Sequence, residues 1–523
     1  NGNLLSKTAS GTEGEDVTVN YAYANLADWM WRKTRETVLG SASGKVRESY
    51  YGYESGTGNL MYQEFWLNGA ANPKIEMTYD EYGNPIAVTD ARGHTTVTEY
   101  DTLTRTFPVK IVYPQTNGVS HSVENEAWDY RFGKVTITKD ENGNRTYYNY
   151  DAFGRPLQVD LPDGGRVTTE YHDEEFPRYV VNRVKEDEAG STIDAYRYID
   201  GLGREIQTIT FGEGGQSIVT KRFYDALGRN DLNEGPFFAT GTEYPLFPSE
   251  AYPWQQTTFD LRNRPETIES ADGEYGSVVA FFDYDGLSTT VTDPDDGSKT
   301  ERKDYLGRVI QVVEHADQAA YITDYAYNAA GDLLTVRDHS GNTTTINYDT
   351  LGRKINMNDP DMGYWEYTYD ANGNLLSQLD EKLQKVTFTY DELNQIIAKT
   401  YSTSDSTVTY SYDNLTIPHG RGRLHAVTNA HSATIYNGYD EMGNATSVSK
   451  TIAGDASVYT TRYEYDFSGK VTRTIYPDGY AVSNTYFPGS GLLQTVSGSD
   501  GVEYARLSGY APTGKIGSIE HAN

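Results

Sequence analysis

One phrase sets the rhythm of this chain: Tyr-Asp, two variable residues, Gly, then Asn or Arg. It stands at Tyr79-Asp80…Gly83-Asn84, Tyr150-Asp151…Gly154-Arg155, Tyr224-Asp225…Gly228-Arg229, Tyr348-Asp349…Gly352-Arg353, Tyr369-Asp370…Gly373-Asn374 and Tyr439-Asp440…Gly443-Asn444. A Lys variant follows at Tyr465-Asp466…Gly469-Lys470. In the most regular stretch the tyrosines fall at 327, 348, 369, 390 and 412, intervals of 21, 21, 21 and 22. A fixed period of this size means that one small supersecondary unit is copied along the chain and buries its apolar face only against its neighbours.

The segments before each Tyr-Asp alternate. Val386, Phe388 and Tyr390 are separated by threonines, and Trp365, Tyr367 and Tyr369 likewise occupy every second position. Period two with β-branched and aromatic residues predicts half-buried strands. After the turn, apolar residues recur three and five places past the Gly, as in Ile86 and Val88, Leu157 and Val159, or Ile355 and Met357. Asp can accept hydrogen bonds from nearby backbone amides, and the Gly suits a left-handed corner. A weaker Asp-x-x-Gly turn lies halfway round the period, at Asp90–Gly93, Asp140–Gly143 and Asp338–Gly341. Each copy is therefore strand, turn, strand, turn, and the whole is one all-β array of hairpins over residues 1–523. A lone hairpin is marginal in water, so the copies must pair edge to edge. A sheet that long coils because strands twist.

Composition fits a thin sheet. Hydrophobic residues make up 37 % of the 523, while Gly (50) and Tyr (45) are heavily used. Tyrosine buries a ring and keeps a hydroxyl for a polar partner. The net charge of −31 argues against nucleic acid and against anionic membrane surfaces as partners, since both attract basic proteins. There is no cysteine, which excludes disulfides and thiolate metal sites. No apolar run approaches the ~18 residues of a membrane span.

Two stretches break the rhythm. Residues 230–256 carry Pro236, Phe237, Phe238, Pro245, Phe247, Pro248, Pro253 and Trp254, a composition that suits either a packed plug or a functional loop. Residues 104–128 form the second irregular insertion. Near the start, Trp29, Trp31, Lys33 and Arg35 share a strand face, or Asn25–Arg35 forms one short helix. The chain opens on Asn1-Gly2-Asn3-Leu4-Leu5, a copy of Asn372-Gly373-Asn374-Leu375-Leu376, and closes just past Thr513-Gly514-Lys515-Ile516. The array is expected to be truncated at both ends.

Candidate chemistry is sparse. Asp293, Asp295 and Asp296 offer paired carboxylates of the kind glycoside hydrolysis needs, and they or Asp140-Glu141-Asn142-Gly143-Asn144 offer oxygen ligands for calcium. Nearly every Asp, however, already has a turn role, and neither group has the full spacing of a calcium loop. His419, His425 and His431 stand six apart; on one strand that puts successive ones on the same face but ~20 Å apart, too far to share a metal. Gly514-Lys515-Ile516 lacks the Ser or Thr of a phosphate loop. The expectation is therefore a non-enzyme with no catalytic residue, no cofactor and no metal.

Tyr-Asp-x-x-Gly-[Asn/Arg] with the half-repeat Asp-x-x-Gly resembles the YD or Rhs repeat over essentially the whole chain. Thr350-Leu351-Gly352-Arg353 with Asp359-Pro360-Asp361-Met362-Gly363 and Tyr369–Leu375 is similar to bacterial Rhs proteins. Thr106-Phe107-Pro108-Val109 with Phe132-Gly133-Lys134-Val135 resembles the SpvB-like B components of insecticidal toxin complexes. The resemblance implies a long antiparallel hairpin sheet spiralling into a hollow shell. It implies a secreted or cell-surface protein that encapsulates a toxic C-terminal polypeptide before delivery, alongside the remaining shell and delivery components. Related repeats serve surface recognition, which makes an adhesion module binding a glycan or protein the alternative. The family's closing core segment and its self-cleavage aspartates have no match here, so no catalytic residue carries over.

Overall fold

The computed structural model describes residues 3–11, 14–26, 31–248, 251–273, 276–316, 319–403 and 407–522. Among them are 43 β-strands, one 3₁₀ turn at Glu213–Gly215 and no α-helix. The fold is all-β, a single antiparallel sheet in which strands pair with their neighbours in sequence. Alternation is visible in the burial of the strands Arg145–Tyr150 and Gly363–Tyr369, whose residues switch between exposed and half-buried at every step. This is the period-two pattern expected of a pleated sheet.

The hairpins carry a regular irregularity. Pairing slips by one residue immediately before the motif tyrosine, between Thr78 and Tyr79, Asn149 and Tyr150, Asn347 and Tyr348, Thr368 and Tyr369, and Glu464 and Tyr465. A bulge at each motif turn increases the local right-handed twist, so a device for coiling the ribbon is written into every copy.

The chain divides into two compact units: Asn1–Ser122 with Phe282–Tyr410, and Val123–Phe281 with Ser411–Asn523. In the second unit Tyr198, Ile209, Val219, Phe237 and Leu246 form a buried cluster in which Ile209 and Val219 are wholly inaccessible. Leu246 comes from the 230–256 stretch. That stretch begins as the strand Asn230–Ala239, and the segment after it is fastened to the sheet. Gln207 donates to the Glu243 carbonyl and accepts from the Leu246 N–H, at 2.9 and 3.0 Å, while the Tyr198 hydroxyl donates to the Thr242 carbonyl. Burial pushes the Tyr198 hydroxyl up to about 12.

Two sequence expectations differ in detail. Residues 104–128 hold most of a long hairpin, with strands Pro108–Thr116 and Val119–Asp129. The helical reading of Asn25–Arg35 fails where it is described: Trp31–Arg35 lie in the strand Trp31–Gly40, with Asn25 opposite Trp31 and Ala22 opposite Arg35. Cross-strand pairing with Val17–Asn25 overrides local helix propensity there; Trp29 lies outside the described residues.

Candidate functional site: the turn edges of the ribbon

Each letter of the repeated phrase has a structural task. One oxygen of the turn Asp accepts the N–H groups two and four residues on, as Asp151 does from Phe153 and Arg155 at 2.8 and 2.9 Å. Its other oxygen accepts from the side chain four residues on. That donor is an amide at Asn84, Asn374 and Asn444, at 2.8 to 2.9 Å. It is a guanidinium at Arg155, Arg204 and Arg353, at 2.6 to 2.8 Å. Asn and Arg alternate at this position because both present an N–H at the right reach. At Tyr327 the pair is inverted: Asn328 takes the Asp position and donates its amide to Asp332 at 2.8 Å. The intervening Gly sits at positive φ, +78° at Gly154 and +92° at Gly373, where a Cβ is disfavoured.

The tyrosine does more than pack. Its hydroxyl donates to the carbonyl two residues past the Gly of the preceding motif turn: Tyr150 to Val135, Tyr369 to Lys354, Tyr390 to Leu375 and Tyr465 to Ala445, at 2.8 to 2.9 Å. Where the preceding turn ends in Arg, the guanidinium also stacks on this ring, at 3.9 Å for Arg155 on Tyr171, 4.2 Å for Arg204 on Tyr224 and 5.0 Å for Arg353 on Tyr369. Consecutive motif turns are thus laced along one edge of the ribbon. Period and residue type announced the turn; they did not announce this hydroxyl staple.

Protonation of these turn aspartates is held down. For Asp200 and Asp260 the largest cause is the backbone N–H of Arg204 or Arg264, and for Asp338 it is the Asn342 amide. For Asp80, Asp151 and Asp225 burial pushes upward, but the hydrogen bonds together outweigh it. A folded value below the unfolded one, about 3.9, means the unfolded chain binds more protons. The stabilisation is therefore complete above that value and disappears as pH falls through the folded values. We expect the urea midpoint to be level from pH 8 to pH 5 and to drop steeply below about pH 4. A midpoint that rises on acidification would mean that relief of the net charge dominates instead.

The two edges of the ribbon meet. In the first unit Asn372, in a motif turn, donates to Asp90 in a half-repeat turn at 2.6 Å, and the Arg92 N–H returns a bond to Asn372 at 3.1 Å. The Arg92 guanidinium reaches the Asp391 and Tyr390 carbonyls at 2.8 and 3.3 Å and lies 3.5 Å from the Asp370 carboxylate. Arg47 pairs with Asp332 at 2.5 Å, and Thr350 donates to the Trp66 carbonyl at 2.5 Å. In the second unit Asn142 and Arg421 exchange two bonds of 3.0 Å, and Asn144 donates to the Glu441 carbonyl at 3.1 Å. Buried Glu186 accepts from the Gly489 N–H at 2.8 Å and faces Lys470 at 3.5 Å. In both units the partners stand 279 to 303 residues apart in sequence.

The sequence candidates fall into this scheme. Asp293 accepts from the Asp295 and Gly297 N–H groups at 2.9 and 2.8 Å, so the exposed Asp293, Asp295 and Asp296 belong to one half-repeat turn. Asp140, Asn142 and Asn144 make a turn and the joint just described, with Glu141 beside them. His419 lies 3.7 Å from Glu441, His425 bonds the Tyr436 carbonyl at 3.1 Å, and His431 sits in the turn capped by Asn429; they take separate partners. Among the described residues no group of three His, Asp or Glu is placed to hold a metal ion, and no helix is long and apolar enough to cross a membrane. Sequence reasoning missed the joint residues Asn142 and Asn372. For Asn372 the one signal is Asn just before the turn Gly, where the motif turns at Gly352 and Gly443 carry Leu351 and Met442; Asn142 has no such contrast, since Arg92, Asp163 and Ser340 hold its place in other half-repeat turns.

This geometry has known counterparts. Residues 288–421 match the family model described as Teneurin YD-shell, and residues 173–279 match one described as Domain of unknown function (DUF6443). No curated relative matches the chain. The crystal structure of TcdB2-TccC3 is similar at a TM-score of 0.81 and 13 % identity, over 97 % of this chain and 34 % of that one. A Photorhabdus luminescens Tc holotoxin pore with a substituted TccC3 gives a TM-score of 0.81 at 12 % identity, over 97 % of this chain and 36 % of that one. The chain thus spans about a third of the length of these structures, and at such identity the likeness is one of fold. That fold is a YD-shell ribbon. Residues 288–421 thus carry the YD-shell repeat, and the chain as a whole shares the fold of these structures.

Proposed function

We propose that this chain is a length of wall in a shell that encloses a toxic polypeptide and shields it until delivery, in company with further shell and delivery components outside the producing cell. The observation that carries the reading is the edge-to-edge joining of the ribbon within each unit. A wall sealed along its turns, with strand amides paired in the sheet, leaves few open strand edges for an unfolded cargo to pair with. The fold likeness adds support, as does one similar structure, of TcdB2-TccC3 without its hypervariable C-terminal region, at a TM-score of 0.80 and 12 % identity. On this reading the work is mechanical, with no bond chemistry in the wall. The alternative, glycan or protein recognition by tyrosine rows, has less support because motif tyrosines spend their hydroxyls on ribbon carbonyls.

The test uses the native polypeptide as its gene encodes it. Electron microscopy is expected to show a hollow particle with enclosed density. Protease is expected to cut the C-terminal segment roughly tenfold more slowly than the same segment expressed alone, since cleavage then tracks rare opening. A solid particle, or equal cleavage rates, would overturn the proposal.

A further inference from the structure

Tyr480 and Tyr504 meet across an intervening strand. Tyr504 lies in the strand Glu503–Ser508, and Tyr480 immediately precedes the strand Ala481–Tyr486. The strand Leu493–Gly498 runs between them and pairs with both. Strands two places apart in a sheet are separated by ~10 Å. The two ring centroids are nevertheless 6.5 Å apart, and the two hydroxyls are in hydrogen-bond contact. The gap that admits them is Gly498. A Cβ there would lie 2.9 Å from Tyr480 Cζ and would collide with its hydroxyl. Asp500, in the turn that follows, completes the cluster. Its carboxylate accepts from Tyr480 at 2.9 Å, from Tyr504 at 3.3 Å and from the Val502 N–H at 3.0 Å. Each phenol has one proton to give, so a chain from Tyr504 to Tyr480 to Asp500 uses both.

We infer that Tyr480 and Tyr504 are an oxidative cross-linking site, a pair set to become dityrosine when a one-electron oxidant of the peroxidase class reaches them. Without cysteine, oxidation can staple the side chains of this protein through tyrosine but not through sulfur. Each ring gives one electron to the oxidant and its phenolic proton to solvent by way of Asp500. The two phenoxyl radicals couple through one ortho carbon of each ring. The hydrogens on those carbons then move to the oxygens, which restores both phenols and leaves the product two hydrogens lighter. The Val502 N–H above all, with both phenols, holds Asp500 below the ordinary carboxylate range, so it is ionised at neutral pH and can take a proton. Tyr504 is 39 % exposed and Asp500 is exposed, which gives a small oxidant access. With the hydroxyls in contact, the carbons beside them need only a small ring movement to meet. Other close pairs differ. In Tyr179–Tyr198 and Tyr436–Tyr439, at 5.0 and 5.8 Å, one ring is buried. Its hydroxyl is given to a carbonyl, that of Thr242 for Tyr198 and of Leu424 for Tyr439. The cluster carries this inference whether or not the wall encloses a cargo.

Treating the native polypeptide with a haem peroxidase and hydrogen peroxide, dilute enough to keep copies apart, tests it. Peptide mapping by mass spectrometry is expected to show one dominant dityrosine product, joined through Tyr480 and Tyr504 and lighter by two hydrogens. Most of the dityrosine fluorescence is expected to disappear in Tyr504→Phe. Gly498→Ala should suppress the product as strongly while leaving the melting temperature unchanged. Its φ lies outside the left-handed region, and the added methyl displaces only the ends of flexible side chains. Asp500→Asn keeps an acceptor for the phenols but takes up no proton. It should slow coupling by about tenfold, less than a usual general-base contribution because water also takes the proton. Products spread evenly over many tyrosines, no link between Tyr480 and Tyr504, or a yield untouched by Gly498→Ala would overturn the inference. An Asp500→Asn rate equal to that of the unaltered protein would overturn the role given to its carboxylate.

Discussion

Replacing Asp304 by Ala is expected to destabilise the first unit by about 3–5 kcal/mol, the cost of removing one partner from a buried charged pair. Asp304 is wholly inaccessible. It accepts the N–H groups of Leu306 and Arg308 at 2.9 Å each, and the Arg308 guanidinium at 2.6 Å. Alanine strands all three donors at a site water does not reach. Arg308 also reaches the Asn328 carbonyl at 2.8 Å and stacks on Tyr327 at 5.1 Å, so the damage passes to the next copy of the repeat. Asp304→Asn keeps the acceptor for the two backbone amides and turns an N–H toward Arg308, and it should cost about 1–2 kcal/mol. The molecule supplies its own rescue in the inverted pair Asn328–Asp332. Asp304→Asn combined with Arg308→Asp should therefore be more stable than Arg308→Asp alone. Urea midpoints of the four variants measure the series. A loss for Asp304→Ala below about 1 kcal/mol, the scale of an exposed ion pair, would show that this carboxylate does not organise the turn.

Gly235→Ala should be about as damaging in the second unit. Gly235 has φ of +95°, and a Cβ there would lie 2.4 Å from the Val219 carbonyl oxygen and 3.2 Å from the Thr220 Cα. Both obstacles are backbone, so no rotamer change relieves them. The residue sits where pairing slips between Val219 opposite Phe237 and Lys221 opposite Glu234. That slip carries the strand on to Phe237, in the buried cluster with Ile209 and Val219. The expected loss is about 3–5 kcal/mol, from left-handed strain combined with overpacking. Gly190→Ala isolates the strain: its φ is +89° and nothing lies within 4 Å of the added carbon, so about 1–2 kcal/mol is expected. Denaturant titration of the two variants separates the causes, and equal losses would rule out the clash.

Most of the local architecture was legible. Tyr-Asp-x-x-Gly-[Asn/Arg] announced a turn whose Asp accepts backbone amides, and alternation in Trp365, Tyr367 and Tyr369 announced strands, because both depend on residues within a few positions of one another. Asn25–Arg35 misled because a short amphipathic stretch fits a helix or a strand, and only pairing with Val17–Asn25 decides. The acidic and histidine clusters were visible as residues but not as roles. Asp293, Asp295 and Asp296 stand together because a turn needs its first Asp, and His419, His425 and His431 separate because a loop, a strand and a turn carry them.

By itself the sequence determined the copy: its period, its strands, its turn chemistry and the Gly corners, all set by short-range sterics and hydrogen bonding. Only the tertiary structure decided which copies touch. Arg92 meets Asp370 and Asn142 meets Arg421 across nearly three hundred residues. That distance reflects twist accumulated over roughly a dozen bulged hairpins. A small change in twist per copy would shift the partner by a whole turn, and no local pattern encodes the sum. The edge that finds a partner and the edge left bare are therefore properties of the coil, although every residue on them is written in the repeat.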